Sequence, residues 1–136
     1  MADTFSFEVA TPERLVIREA ATEAQIPAKN GYIGVLPGHA PLLSQLGTGY
    51  ASFVAGGHKS FFAVNGGFVE VLPDKVRVLA ETVEKAEEID VQRAEAALKR
   101  AQEQLSSPHV EMDPALALSA MFRAQARLEA AAQARK

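Results

Sequence analysis

Two hydrophobic periods divide the chain. From residue 4 to about 81, apolar and polar residues alternate in short runs: Phe5, Phe7 and Val9; then Leu15 and Ile17; then Val76, Val78 and Ala80 around Arg77 and Leu79. A period of two places alternate side chains on opposite faces, so these runs predict β-strands. Breaks recur at Thr11-Pro12, Asn30-Gly31, Pro37-Gly38, Gly56-Gly57, Asn65-Gly66-Gly67 and Leu72-Pro73-Asp74-Lys75, a spacing that suits a small β-sandwich or flattened barrel. Gly56-Gly57 supplies the positive φ of a tight hairpin, and Pro73-Asp74 suits the centre of a type I turn.

After Thr82 the period lengthens. Val91, Ala94, Leu98, Ala101 and Leu105 recur at three- and four-residue steps and form one stripe of a helix about 24 Å long, running from Asp90 to Leu105. Asp113-Pro114 reads as N-cap and first helical residue of a second helix that runs nearly to Lys136. Its expected stripe is Leu118, Met121, Gln125, Leu128 and Ala132, only weakly apolar, and nine residues from Ala115 to Ala134 are alanine. Alanine favours helix but buries little surface. Joined through Ser106-Ser107-Pro108-His109-Val110-Glu111, the helices predict an antiparallel hairpin, detachable because its side chains are thin. The expected division is an all-β sandwich over residues 1–84 and a mobile two-helix hairpin over 85–136.

Composition narrows the chemistry. With 136 residues and 48% hydrophobic content, the chain is large enough to bury a real core. It has no cysteine, which excludes disulfides, thiol nucleophiles and cysteine-held metal clusters. Fourteen basic residues are interspersed with 17 acidic ones for a net charge of −3, which argues against nucleic acid as a partner. The N-terminus lacks a basic region followed by an apolar run, and no window approaches the roughly 18 apolar residues that span a bilayer, so the chain is expected to reach a membrane only through another protein. No Gly-Lys-Ser or Gly-Lys-Thr ends a glycine-rich loop, and the serines lie outside any Gly-x-Ser-x-Gly elbow. His39, His58 and His109 lack metal-ligand spacing and read as turn or surface residues. Neither a catalytic site nor a metal site is expected.

One segment is more shaped than a core element requires. In Gly31-Tyr32-Ile33-Gly34-Val35-Leu36-Pro37-Gly38-His39-Ala40-Pro41-Leu42-Leu43, glycines and prolines frame apolar residues and predict a rigid surface contour suited to docking, with an ordinary strand and connection as the alternative. Together with Val9-Ala10-Thr11-Pro12-Glu13-Arg14, with Val64-Asn65-Gly66-Gly67-Phe68-Val69-Glu70-Val71 and with the helical hairpin, this segment resembles the epsilon subunits of bacterial F-type ATP synthases, the counterparts of mitochondrial delta. The resemblance runs the whole length. It implies a ten-stranded sandwich in the central stalk that packs on the gamma subunit and on the c subunits of the membrane rotor ring. It implies a non-catalytic rotor part that couples the ring to the catalytic head, peripheral on the cytoplasmic face of the bacterial inner membrane. By the same resemblance, Lys29, Asn30, Gly31, Tyr32, Gly38, His39 and Ala40 face the ring and gamma, and the hairpin makes transient contact with the alpha and beta subunits.

The family's nucleotide-binding signature stands here as Ile89-Asp90-Val91-Gln92-Arg93-Ala94, with Arg100, Arg123 and Arg127 as its later basic residues. What this implies is ATP as a regulatory ligand, with no cofactor required. Arg123 and Arg127, four apart on one helix, repel unless an anion sits between them. Ordinary helix electrostatics accounts for many of the same residues: Asp90 can cap the first helix, and Arg100 can pair with Glu103. Two other readings stay open, a free-standing ATP-sensing module and a small sandwich enzyme or binder with its pocket near Gly31 to Leu46.

Overall fold

The computed structural model describes residues 3–107 and 112–136. Eight strands come first: β1 Phe5–Ala10, β2 Leu15–Ala21, β3 Glu23–Ala28, β4 Gly31–Val35, β5 Leu42–Gln45, β6 Thr48–Ala55, β7 His58–Leu72 and β8 Lys75–Lys85. A 3-10 turn, Ala86–Glu88, leads to α1 Val91–Ser106 and α2 Pro114–Ala134. Residues 108–111, in the expected inter-helix connector with His109, lie outside the described residues.

The sandwich has five strand segments per layer because β7 and β8 belong to both. The first half of β7 pairs with β6 and its second half with β5, while β8 pairs with β7 throughout and with β1 through its first half. One layer is therefore β4, β3, β6 and the adjoining halves of β7 and β8; the other is β5, the remaining halves, β1 and β2. Eight continuous strands make ten segments. Asn65-Gly66-Gly67, expected as a turn, lies inside β7 at the crossing point, with φ of 67° and 104° at the two glycines. Gly67 is obligatory there, since a Cβ would collide with the carbonyl oxygen of Leu79. Gly56 and Gly57, both at positive φ, close the β6–β7 hairpin, and Pro73-Asp74 closes β7–β8.

Side chains from both layers fill the interior. Phe7 of one layer lies 5.0 Å from Phe53 and 6.2 Å from Phe62 of the other, ring centre to ring centre, with Val9, Val64, Val69, Val71, Val76 and Val78 buried around them. Leu15 departs from the expected alternation with Ile17. The β1–β2 register slips between Val9 and Ala10, so Leu15 pairs with Ala10 and turns outward, 47% exposed. A one-residue slip moves a side chain to the opposite face.

The hairpin lies on the β6–β7 face. Asp90 caps α1 by accepting from the Arg93 amide at 3.1 Å, and Asp113 caps α2 by accepting from Ala115, with Pro114 following. The α1 stripe is as expected, with Ala94 and Ala101 buried and Leu98 and Leu105 half-buried. The α2 stripe is not: Leu118 and Ala132 are exposed, and the buried residues are Ala117, Ala124, Ala126, Ala130 and Ala131. Ala117, Ala124 and Ala131 repeat at seven-residue steps, as Ala94 and Ala101 do, and mark the helix–helix seam. Ala126 and Ala130 pack instead on Ala63 and Ala86, between Tyr50, Phe61 and Ile89. Packed on two sides, α2 buries its small residues because only they let both neighbours approach closely.

Candidate functional site

The nucleotide-signature residues converge only in part. Asp90, Arg93, Ala94, Arg100 and Arg127 line one cleft of about 490 Å³ where the end of β8 meets the hairpin, together with Glu84 and Glu88. Arg93, Ala97 and Arg100 follow helical spacing along α1, so the motif's register turns both guanidinium groups to the same opening. Ile89 is half-buried in the small cluster under α2 and does not line the cleft. Arg123 lines a neighbouring hollow of about 190 Å³ with Arg127 and donates to Ser119 Oγ at 2.7 Å. Arg127 Nε donates to Glu84 Oε1 at 2.8 Å. Each of these two arginines thus has its own partner, and no anion is needed to separate them.

Three guanidinium groups and three carboxylates therefore share one opening. Guanidinium forks match phosphate oxygens, and carboxylates accept from hydroxyl and amino donors. Such a set suits a ligand that is anionic at one end and donor-bearing at the other. Glu84 and Glu88 were not among the expected residues because they precede the motif. Strand alternation does not mark Glu84 either, since the inward parity of Val76, Val78 and Ala80 switches to Val83 beyond the crossing; the β7–β8 register sets Glu84 opposite Ala63 on the face beneath α2.

The expected docking residues separate into two groups. Lys29, Asn30, Gly31 and Tyr32 occupy the β3–β4 turn and the start of β4, where the Lys29 amide donates to the Gln45 carbonyl. Gly38, His39 and Ala40 lie past the other end of β4, where the Gly38 amide donates to the Pro73 carbonyl in the β7–β8 turn. Five residues of strand set the groups roughly 16 Å apart. Tyr32 faces the hairpin side: its hydroxyl donates to the Tyr50 carbonyl at 2.7 Å, and its ring begins a ladder continued by Tyr50 and Phe61. Partial burial, with Tyr50 and Glu129 nearby, pushes its hydroxyl up to about 12. The Gly38 group adjoins exposed Leu36, Leu42 and Leu43.

The outer face of the β1–β2 layer carries a further surface. Strand register aligns Leu15, Ala10, Leu79 and Phe68 in one row, with Leu15, Leu79 and Phe68 about half exposed beside a hollow of about 240 Å³ that Pro12 and Gly67 also line. The next row is charged. Glu8, only 13% exposed at its side chain, receives Arg18 at 3.0 Å, Arg77 at 3.3 Å and Lys75 at 3.9 Å. Burial pushes the Glu8 carboxyl up, but the Arg18 hydrogen bond and the Lys75 and Arg18 charges outweigh it and hold the group below its usual range.

A β-sandwich with one face under a helical hairpin and the other bearing an exposed apolar row defines the class of fold. The description "ATP synthase, Delta/Epsilon chain, beta-sandwich domain" matches residues 4–86, and "ATP synthase, Delta/Epsilon chain, long alpha-helix domain" matches residues 87–132. The ATP synthase epsilon chain of Solibacter usitatus is 57% identical, over 96% of this chain and 98% of that one; that of Koribacter versatilis is 53% identical over 79% and 75%. A chain in the cryo-EM structure of the Euglena gracilis mitochondrial ATP synthase (OSCP/F1/c-ring) superposes with a TM-score of 0.85 at 25% identity, covering 97% of this chain and 83% of that one. The chain belongs to the ATP synthase delta/epsilon family. No described helix is long and apolar enough to cross a membrane.

Proposed function

We propose that this chain is a non-catalytic rotor subunit in the central stalk of a proton-translocating F-type ATP synthase, coupling the membrane ring to gamma and the catalytic head. The observation that carries the reading is the family relation over the whole length, joined to a sandwich that keeps an uncovered apolar row on the face opposite its hairpin. The gamma subunit docks along Leu15, Leu79 and Phe68, where apolar surface beside a charged row suits a stable partner. The c subunits meet the end formed by Gly38, His39 and Ala40 with Leu36 and Leu42. Catalysis resides in partner subunits, consistent with a sequence that lacks a phosphate-binding Gly-Lys-Ser or Gly-Lys-Thr loop. The chain is held peripherally at the cytoplasmic face of the bacterial membrane by these contacts, and the hairpin moves between the sandwich and the alpha and beta subunits. A tagged chain recovered from native membranes should bring down a gamma-type coiled coil and catalytic subunits. Phe68→Asp with Leu79→Asp should abolish that recovery while the isolated variant stays folded; recovery of neither partner by the unmodified chain would refute the assignment.

A regulatory role for ATP is favoured by one specific observation, the convergence of Asp90, Arg93, Ala94, Arg100 and Arg127 on a single cleft. Bound near its dissociation constant, ATP would add only about 0.4 kcal/mol to the docked hairpin, a bias and not a lock. Calorimetry with about 1 mM ATP should show heat that Arg100→Ala removes; no heat with the unmodified chain would rule the ligand out.

A further inference from the structure

We infer that the Glu84–Arg127 pair is a latch that sets what fraction of the time the hairpin lies on the sandwich, an inference that rests on the mobile hairpin proposed above. Among the described residues, the other ion pairs all lie within the sandwich, around Glu8 and Arg77. Arg127 Nε to Glu84 Oε1, at 2.8 Å, joins α2 to β8. The remaining docking contact is thin. Ala126 and Ala130 each offer one methyl to Ala63 and Ala86, and among the described residues of this cluster Tyr50, Phe61 and Ile89 add larger surface.

Methyl contacts are non-directional and would tolerate a sliding helix. A guanidinium bonded to a carboxylate is directional and fixes one register. Glu84 is level with Ala63 in the β7–β8 ladder, and Arg127 follows Ala126, so the charged contact sits at the edge of the methyl contact and closes with it. Both side chains are 38% exposed. At that exposure the pair is screened by salt and contributes modestly, which leaves the hairpin poised between docked and released.

The test is single-molecule energy transfer on the full chain, which has no cysteine of its own, with dyes at Glu19→Cys and Lys99→Cys. Glu84→Gln should raise the released-to-docked ratio about two- to fivefold. Raising salt from about 50 mM to about 500 mM should raise the ratio in the unmodified chain and leave it nearly flat in Glu84→Gln. Glu84→Arg combined with Arg127→Glu should bring the ratio back toward that of the unmodified chain. Equal ratios and equal salt slopes in the unmodified chain and Glu84→Gln would overturn the latch while leaving a mobile hairpin standing. A single docked population in every variant would overturn the mobile hairpin and the latch with it.

Discussion

Where the two layers of the sandwich meet, Phe7 packs against Phe53 and Phe62; where α2 meets the sandwich, Ala126 and Ala130 rest on Ala63 and Ala86. Fully burying a phenylalanine stabilises by about 1.5–3 kcal/mol, and burying one methyl by about 0.8 kcal/mol. The contrast teaches how one chain can hold two joints of different strength. Large rings fill the joint between the layers, whereas α2 meets the sandwich through alanine methyls beside Tyr50, Phe61 and Ile89.

The sharpest way to break this comparison is Phe7→Ala, which should cost the sandwich about 3–5 kcal/mol, read from urea unfolding. A cost below about 1 kcal/mol would mean the layers are not held by their aromatic centre. Next comes Ala130→Leu, which puts bulk into the methyl contact. It should oppose docking by about 1–3 kcal/mol and lower the sandwich transition by no more than about 1 kcal/mol, the burial of Tyr50 and Phe61. Distance measurements between labels on the two modules would show this, and a matching loss of sandwich stability would contradict the separation.

Truncation after Lys85 should be milder still. The sandwich should unfold cooperatively, losing about 1 kcal/mol as Tyr50 and Phe61 become exposed, and a non-cooperative transition would show that the hairpin is part of its core. Smallest is the effect of Glu8. Its folded carboxyl titrates below the usual range, so its contribution is complete above the ordinary carboxylate pKa and fades as pH falls through the lowered folded value. The urea midpoint difference between the unmodified chain and Glu8→Gln should be constant above about pH 5 and shrink below about pH 4. A difference that instead grew on acidification would reverse the assigned sign.

Much of the sandwich could be read in advance, and the exceptions have causes. Phe5, Phe7 and Val9 point inward as period two requires, and the Gly56-Gly57 and Pro73-Asp74 turns fall where their backbone preferences place them. The outward turn of Leu15 is illegible because a register slip leaves no mark in hydropathy, and Gly66-Gly67 reads as a turn because a strand crossing between layers needs the same residues. In α2 the true seam was hidden by its alanines, which a search for large apolar residues passes over. Asp90, Arg93 and Arg100 could be placed together from helical spacing alone. Glu84 could not, because it reaches the cleft from the other module through tertiary packing.

The sharing of β7 and β8 between layers has a mechanical side. Sliding one sheet over the other would require bending two continuous backbones at Gly67 and Ala80, and at Gly67 the Leu79 carbonyl already leaves no room for a side chain. A twisting load applied at the Leu79 and Phe68 row therefore travels along covalent chain to the strands beneath the helices. The knob should respond to torque as one stiff body, with its compliance confined to the join after Lys85.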